Sequence, residues 1–231
     1  MKIKKEVIKM LENICKEYDK EIEEILDALK YGFYENLDQD SFELDIVEPF
    51  EEHYDKSFGW DNGASKGVFI FKDFNFVIKI PFSYCDGDPL CGASEGRFDW
   101  DYCSQEVNRY DMAEQEGLQN VFLETAYLND IDGYPIYIQP FAEPLDKIND
   151  REAYHSGTKE DIKEVENILE KSEYSYINCE WEADIYALYG KQYYKKFKDF
   201  IKDREIEDLR HANVGYIGLN PVILDYAGFD Y

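Results

Sequence analysis

The stretch DLRHANVGYIGLNPVILDYAG, Asp208 to Gly228, decides how the chain is read. A carboxylate and an amide stand five residues apart at Asp208 and Asn213, and a second carboxylate, Asp225, follows Asn213 by 12 residues, beyond the apolar run Val222-Ile223-Leu224. Carboxylate and amide oxygens are the hard donors that Mg2+ prefers. The remaining aspartate of such a set can accept a proton from an attacking hydroxyl. The plainer alternative is a loop, a β-hairpin and a surface aspartate.

Working outward, residues 57–82 are rich in aromatic and β-branched side chains punctuated by Gly and Asn, a strand pattern. We expect a strand, a glycine-rich turn, a strand over Val68 to Phe71, a tight turn over Lys72 to Asn75 and a strand over Phe76 to Ile80 ended by Pro81. The turn, Gly63-Ala64-Ser65-Lys66-Gly67-Val68, is either a plain hairpin turn or a place where backbone N–H groups approach a phosphate. Lys79 points opposite to its neighbours Ile78 and Ile80, so it is either an exposed strand lysine or a point charge for a phosphate. Residues 83–99 read as a loop, and DWDYCSQEVNRYDMAEQEGL as a helix closed by Gly117. Glu106 in that helix either faces water or holds Lys79 in place. Two strands are expected over residues 121–128 and 134–141, joined by a turn at NDIDG, then helices over 159–171 and roughly 180–203. Residues 1 to about 30 carry one apolar helical stripe, expected to pack within the chain. The order of elements predicts an α+β fold.

Composition narrows the partners. The 231 residues include 51 acidic and 25 basic side chains, a formal charge of −26, with 44% hydrophobic and 16% aromatic residues. Enough apolar material is present for a packed core, unlike a disordered acidic chain. A surface so negative disfavours direct nucleic-acid binding and anionic membranes. It is either simply solvated or an acidic decoy that binds a basic protein partner or imitates DNA. The five cysteines (Cys15, Cys85, Cys91, Cys103 and Cys179) form no CxxC pair, which predicts reduced thiols in a cytoplasmic setting, and Cys85, Cys91 and Cys103 lack a standard zinc spacing. No run is apolar enough to span a membrane, and the first 18 residues keep their acids, unlike a signal peptide.

Taken in order, these motifs resemble the protein-kinase superfamily, whose signature is a Gly-rich loop, a lysine on the third strand, a helical glutamate, D-L-x-x-x-N and D-F-G. Asp208 to Asn213 fits D-L-x-x-x-N position by position, and Asp225-Tyr226-Ala227 stands where D-F-G would be. Phe76-Val77-Ile78-Lys79 matches V-A-I-K, and Glu106 suits the helical glutamate. The resemblance covers residues 57–231 and implies a two-lobed fold. Residues 1–50 would be an N-terminal extension, 51–141 a β-rich lobe and 142–231 a reduced helical lobe. It implies ATP and Mg2+ as cofactors, with Asp208 as catalytic base, Asn213 and Asp225 as metal ligands, and Lys79 on the phosphates and paired with Glu106. Gly63, Ser65 and Gly67 would line the phosphates, and Gln139 and Phe141 the strand and hinge beside adenine.

The departures are informative. The loop reads G-x-S-x-G-V, Ile206 and Glu207 replace the His and Arg expected before the catalytic Asp, and Ala227 replaces the last Gly of D-F-G. Six residues follow Asp225, with no activation segment or A-P-E motif, so the chain is similar to the short bacterial effector kinases, which act in a host cytoplasm. Three functions follow as expectations: a phosphotransferase acting on a protein or small-molecule hydroxyl, an inactive pseudokinase, or an acidic inhibitor of a basic partner.

Overall fold

Aromatic and β-branched residues over 58–62, 66–71, 76–81, 126–131 and 134–140 fold as strands, and much of the chain after 142 folds as helices. The computed structural model describes residues 58–62, 66–71, 75–81, 102–131 and 134–227, together with Lys9. The N-terminal stripe, Gly63 and Ser65 of the glycine-rich turn, and Cys15, Cys85 and Cys91 lie outside the described residues. The fold is α+β, and the chain separates into a sheet unit, formed by the described residues up to Ser104 and by Thr125–Phe141, and a helical unit formed by Gln105–Glu124 and the residues from Ala142 onward.

The sheet unit is one antiparallel sheet of β1 (Phe58–Asn62), β2 (Lys66–Phe71), β3 (Phe76–Pro81), β4 (Ala126–Ile131) and β5 (Tyr134–Pro140), in the order β1-β2-β3-β5-β4. Asn75 takes a left-handed φ of 55° in the turn before β3, a conformation that asparagine tolerates better than most residues. Directly paired residues share a face of a sheet. The register pairs Val68 with Lys79 and Lys79 with Tyr137, and Val77 with Gln139. Lys66, Lys79, Tyr137 and Gln139 therefore share one face, and Ile78 and Ile138 take the other. Ile78, Ile136 and Ile138 are fully buried.

The sequence reading of a strand over residues 121–128 is corrected here, because β4 begins only at Ala126. Val121, Phe122 and Leu123 are buried in succession rather than alternately, as residues of a helical core are. They belong to the helical unit, where Phe122 makes an isolated bridge to Ile223 and the N–H of Ile223 donates to the Val121 carbonyl at 2.7 Å.

In the helical unit, α1 (Tyr102–Gln115) is followed by Gly117 at φ +73°, whose positive φ lets the chain turn back after the helix. A second antiparallel sheet joins β6 (Glu143–Pro144), β7 (Val214–Ile217) and β8 (Asn220–Ile223). Gly215 of β7 lies so close to β6 that a Cβ would stand 2.0 Å from the Glu143 carbonyl oxygen. The N-terminus of α2 (Lys159–Glu170) is closed by a reciprocal cap, in which Thr158 Oγ1 accepts from the Asp161 N–H at 3.2 Å and Asp161 Oδ2 accepts from the Thr158 N–H at 2.8 Å.

The helical run α3 (Cys179–Asp203) is broken at Gly190, with φ 82° and ψ 168°. A straight helix rises about 1.5 Å per residue, which would separate Glu182 from Lys198 by roughly 24 Å. Instead Lys198 Nζ lies 2.9 Å from Glu182 Oε2, Tyr186 and Tyr194 have ring centroids 6.1 Å apart, and Trp181 and Phe197 are 6.2 Å apart. The run is thus a helical hairpin with two arms folded back at Gly190, not the single helix that its length suggested. Glu182 and Lys198 are both buried, and Tyr194 Oη and the Ile177 N–H also donate to the Glu182 carboxylate at 2.6 and 3.0 Å. Burial and the adjacent Glu182 charge push the Tyr194 phenol far above its ordinary pKa. Trp181, Phe197, Leu118 and Phe122 sit at the centre of this core. Among the described residues no helix is long and apolar enough to cross a membrane.

Candidate functional site

The site begins where α3 ends. Glu205 adopts a left-handed φ of 52°, and the Ile206 N–H closes back on the Ile201 carbonyl at 3.0 Å, so the helix stops and the chain enters the Asp208 loop. Buried Ile206 and Leu209 anchor the loop to the core. Asn213 Nδ2 donates to the Asp208 carbonyl at 2.6 Å and to Asp208 Oδ2 at 3.2 Å. Arg210 forks onto the same carboxylate, Nε to Oδ1 at 3.2 Å and a terminal nitrogen to Oδ2 at 3.3 Å.

The chain then enters the β7–β8 hairpin, and its return strand brings Asp225 back to Asn213. The Asn213 carbonyl accepts from the Leu224 N–H at 2.8 Å and from the Asp225 N–H at 3.3 Å. Asp208 and Asp225 are thereby each tied directly to Asn213. The amide nitrogen of Asn213 is spent on Asp208, which leaves its Oδ1 as the oxygen donor toward a cation. An amide oxygen and a carboxylate, as on Asn213 and Asp225, are donor types that suit Mg2+; the contact between these two residues runs through their backbones. Among the described residues no group of three or more His, Cys, Asp or Glu is gathered as a metal cage.

The first arm of α3 supports this hairpin. Trp181 Nε1 donates to the Gly215 carbonyl at 3.0 Å, and Tyr216 Oη donates to Asp184 Oδ2 at 2.6 Å. Burial, then the bond to Asp184, raises the Tyr216 phenol well above its ordinary pKa. Asn178 caps this arm through Oδ1, 2.9 Å from the Trp181 N–H, and its Nδ2 stands 3.3 Å from His211 Nε2 in the Asp208 loop. On the far side of Asp225, Arg109 of α1 donates to the carbonyls of Tyr226 and Ala227, and at 3.3 Å to that of Arg204. Tyr226 is buried, donates to the Leu123 carbonyl and packs edge-on against Phe122, with ring centroids 5.3 Å apart.

Of the sequence-derived site residues, Asp208, Asn213 and Asp225 are gathered in one place, and Glu106 lies fully buried on α1 of the same unit. Lys79, Gly67, Gln139 and Phe141 belong to the sheet unit. Lys79 is 3% exposed, so it is not the solvent-facing strand lysine of the plain reading. Gln139 donates to Thr125 Oγ1 at 2.9 Å, Gly67 pairs with Ile80, and the Phe141 N–H donates to the Asn75 carbonyl at 2.8 Å. Gly63 and Ser65 lie outside the described residues.

Sequence reasoning overlooked three residues. Lys66, also 3% exposed, shares the face of Lys79, a placement legible only once the hairpin register is known. Arg109, one turn beyond Glu106, clamps the segment after Asp225, and Asp184 anchors the hairpin from beneath. Compared with known proteins, the chain matches no family model, no curated protein and no solved structure.

Proposed function

We propose that the chain is a Mg2+–ATP-dependent phosphotransferase with a reduced, two-lobed kinase-like fold, acting on a protein or small-molecule hydroxyl. The observation that carries this reading is the Asn213 junction. One residue binds the Asp208 side chain through its amide and the Asp225 backbone through its carbonyl, which supports reading the three as one site. In this reading Asp208 accepts the proton of the acceptor hydroxyl, and Asn213 Oδ1 and Asp225 hold Mg2+. Lys79 contacts the nucleotide phosphates with Glu106 as its partner, Gly67 closes the glycine-rich turn, and Gln139 and Phe141 border the base. Bound Mg2+ supplies the charge neutralisation that transfer from a triphosphate requires. The remaining work is positioning, which a small scaffold can perform.

A second reading, a nucleotide-binding pseudokinase, is favoured by Arg210. Its guanidinium fork occupies both oxygens of the proposed base. One experiment separates the two. The protein is incubated with γ-labelled ATP, Mg2+ and a cell lysate, beside Asp225→Ala and Arg210→Gln. Label transfer lost in Asp225→Ala and increased in Arg210→Gln supports the enzyme. Thermal stabilisation by Mg2+–ATP without label supports the pseudokinase; ligand at about 100 times its dissociation constant adds about 2.7 kcal/mol. Neither signal overturns both.

A further inference from the structure

A groove of about 400 Å³ opens between α2 and the second arm of α3, and three of its lining side chains are lysines: Lys171, Lys191 and Lys195. In a chain of net charge −26 such a gathering is out of keeping with the rest of the surface. Only one of the three ammonium groups has a carboxylate partner among the described residues. Lys191 Nζ lies 3.1 Å from Glu164 Oε2, and this bond raises the Lys191 pKa. Tyr174 Oη donates to Asp199, and Asp203 also lies near that phenol, so two carboxylates flank the groove at its Tyr174 end. The Ser172 hydroxyl is turned inward, onto the Ile168 carbonyl at 2.7 Å. Among the side chains that line the groove, three ammonium groups stand against the one carboxylate of Glu164, with the Asn167 amide beside them. The wall includes Ile168 and Tyr174, which give it an apolar side.

We propose that this groove is a binding site for a small multiply charged anion of the phosphate-ester class, held by Lys171 and Lys195 and gated in affinity by Glu164. Two carboxylates on one flexible ligand would meet the same ammonium groups, but the compact charge of a phosphate suits three point-like donors on neighbouring elements better. Because the chain as a whole repels anions, the attraction is short-ranged and falls as salt screens it. The site lies wholly within the helical unit and stands independently of the phosphotransfer reading.

The test is calorimetric titration with inorganic pyrophosphate, without added Mg2+, at low ionic strength and at about 0.15 M salt. The intact protein should show one saturable site that weakens with salt. K171Q/K195Q should lose it while keeping the circular-dichroism spectrum and melting temperature of the parent. Glu164→Gln frees Lys191 and removes the one carboxylate that lines the groove among the described residues, so it should tighten binding by about fivefold. Asp225→Ala should leave it unchanged, which separates this groove from the proposed nucleotide site. Absence of saturable binding to the intact protein, unaltered binding in K171Q/K195Q, or weaker binding in Glu164→Gln would each overturn the proposal.

Discussion

Two aspartates in the helical unit illustrate opposite uses of the same side chain. Asp184, fully buried on α3, accepts from the N–H groups of Ser156 and Gly157 at 2.9 and 2.7 Å, from Tyr216 Oη at 2.6 Å, and pairs with His155 Nδ1 at 3.0 Å. Four partners use up its lone pairs, so it fastens the loop before α2 to the hairpin and has nothing left for a ligand. The Asp208 side chain is 32% exposed, and one of its partners, Arg210, is itself 70% exposed. An exposed guanidinium can swing away at little cost. The lesson is that the two differ both in burial and in the mobility of their partners: Asp184 is dry and held by backbone and aromatic donors, Asp208 by an exposed arginine and an amide.

That contrast can be broken most forcefully at Asp184. Asp184→Ala should cost about 3–5 kcal/mol in urea unfolding, since it strips four donors of their acceptor in a dry core; a loss near that of a surface substitution would erase the distinction. Gly215→Ala should cost about 1–3 kcal/mol by the same measurement, because its methyl meets the β6 backbone. Tyr216→Phe removes one of the four partners and should cost about 1–3 kcal/mol. The pH dependence sharpens the point. The buried Tyr216 and Tyr194 phenols have pKa values raised above the ordinary 10.0. The folded state therefore holds their protons longer than the unfolded chain, and stability present below pH 10 is lost as pH rises beyond it. Melting temperature should fall above that pH, less steeply in Tyr216→Phe. The smallest effect is expected at Asp208. Asp208→Asn should change stability by no more than about 0.5 kcal/mol, while any label transfer should disappear.

How far the sequence could be read follows from how local each signal is. The β2–β3 hairpin and the close of α1 were legible because alternation, Gly117 and the turn residues act within a few positions, whereas from sequence the β7–β8 hairpin is only the plainer alternative. Asp208, Asn213 and Asp225 stood out because an Asp, an Asn and an Asp at that spacing are unusual, and the hairpin between them is local enough to bring Asn213 and Asp225 together. The residues 121–123 were misread because a short apolar run looks the same whether it joins a sheet or fills a helical core. The bend in α3 was missed because one glycine in 25 residues is a weak mark when helix formers surround it. Arg109 and Asp184 were invisible because their partners lie 117 and 32 positions away, and no local pattern encodes such a pairing.

Gly190 carries one last consequence, for quaternary state. Its left-handed φ of +82° is uncomfortable for any other residue, although a Cβ there would touch nothing within 4 Å. A substitution such as Gly190→Ala would thus act through backbone preference alone and favour a continuous rod. The second arm, with its buried Lys198, would then reach for the Glu182 of another copy rather than its own. Exchange of identical arms is a known hazard of altered hinges, so size-exclusion chromatography of Gly190→Ala should show a reciprocal dimer that the parent lacks.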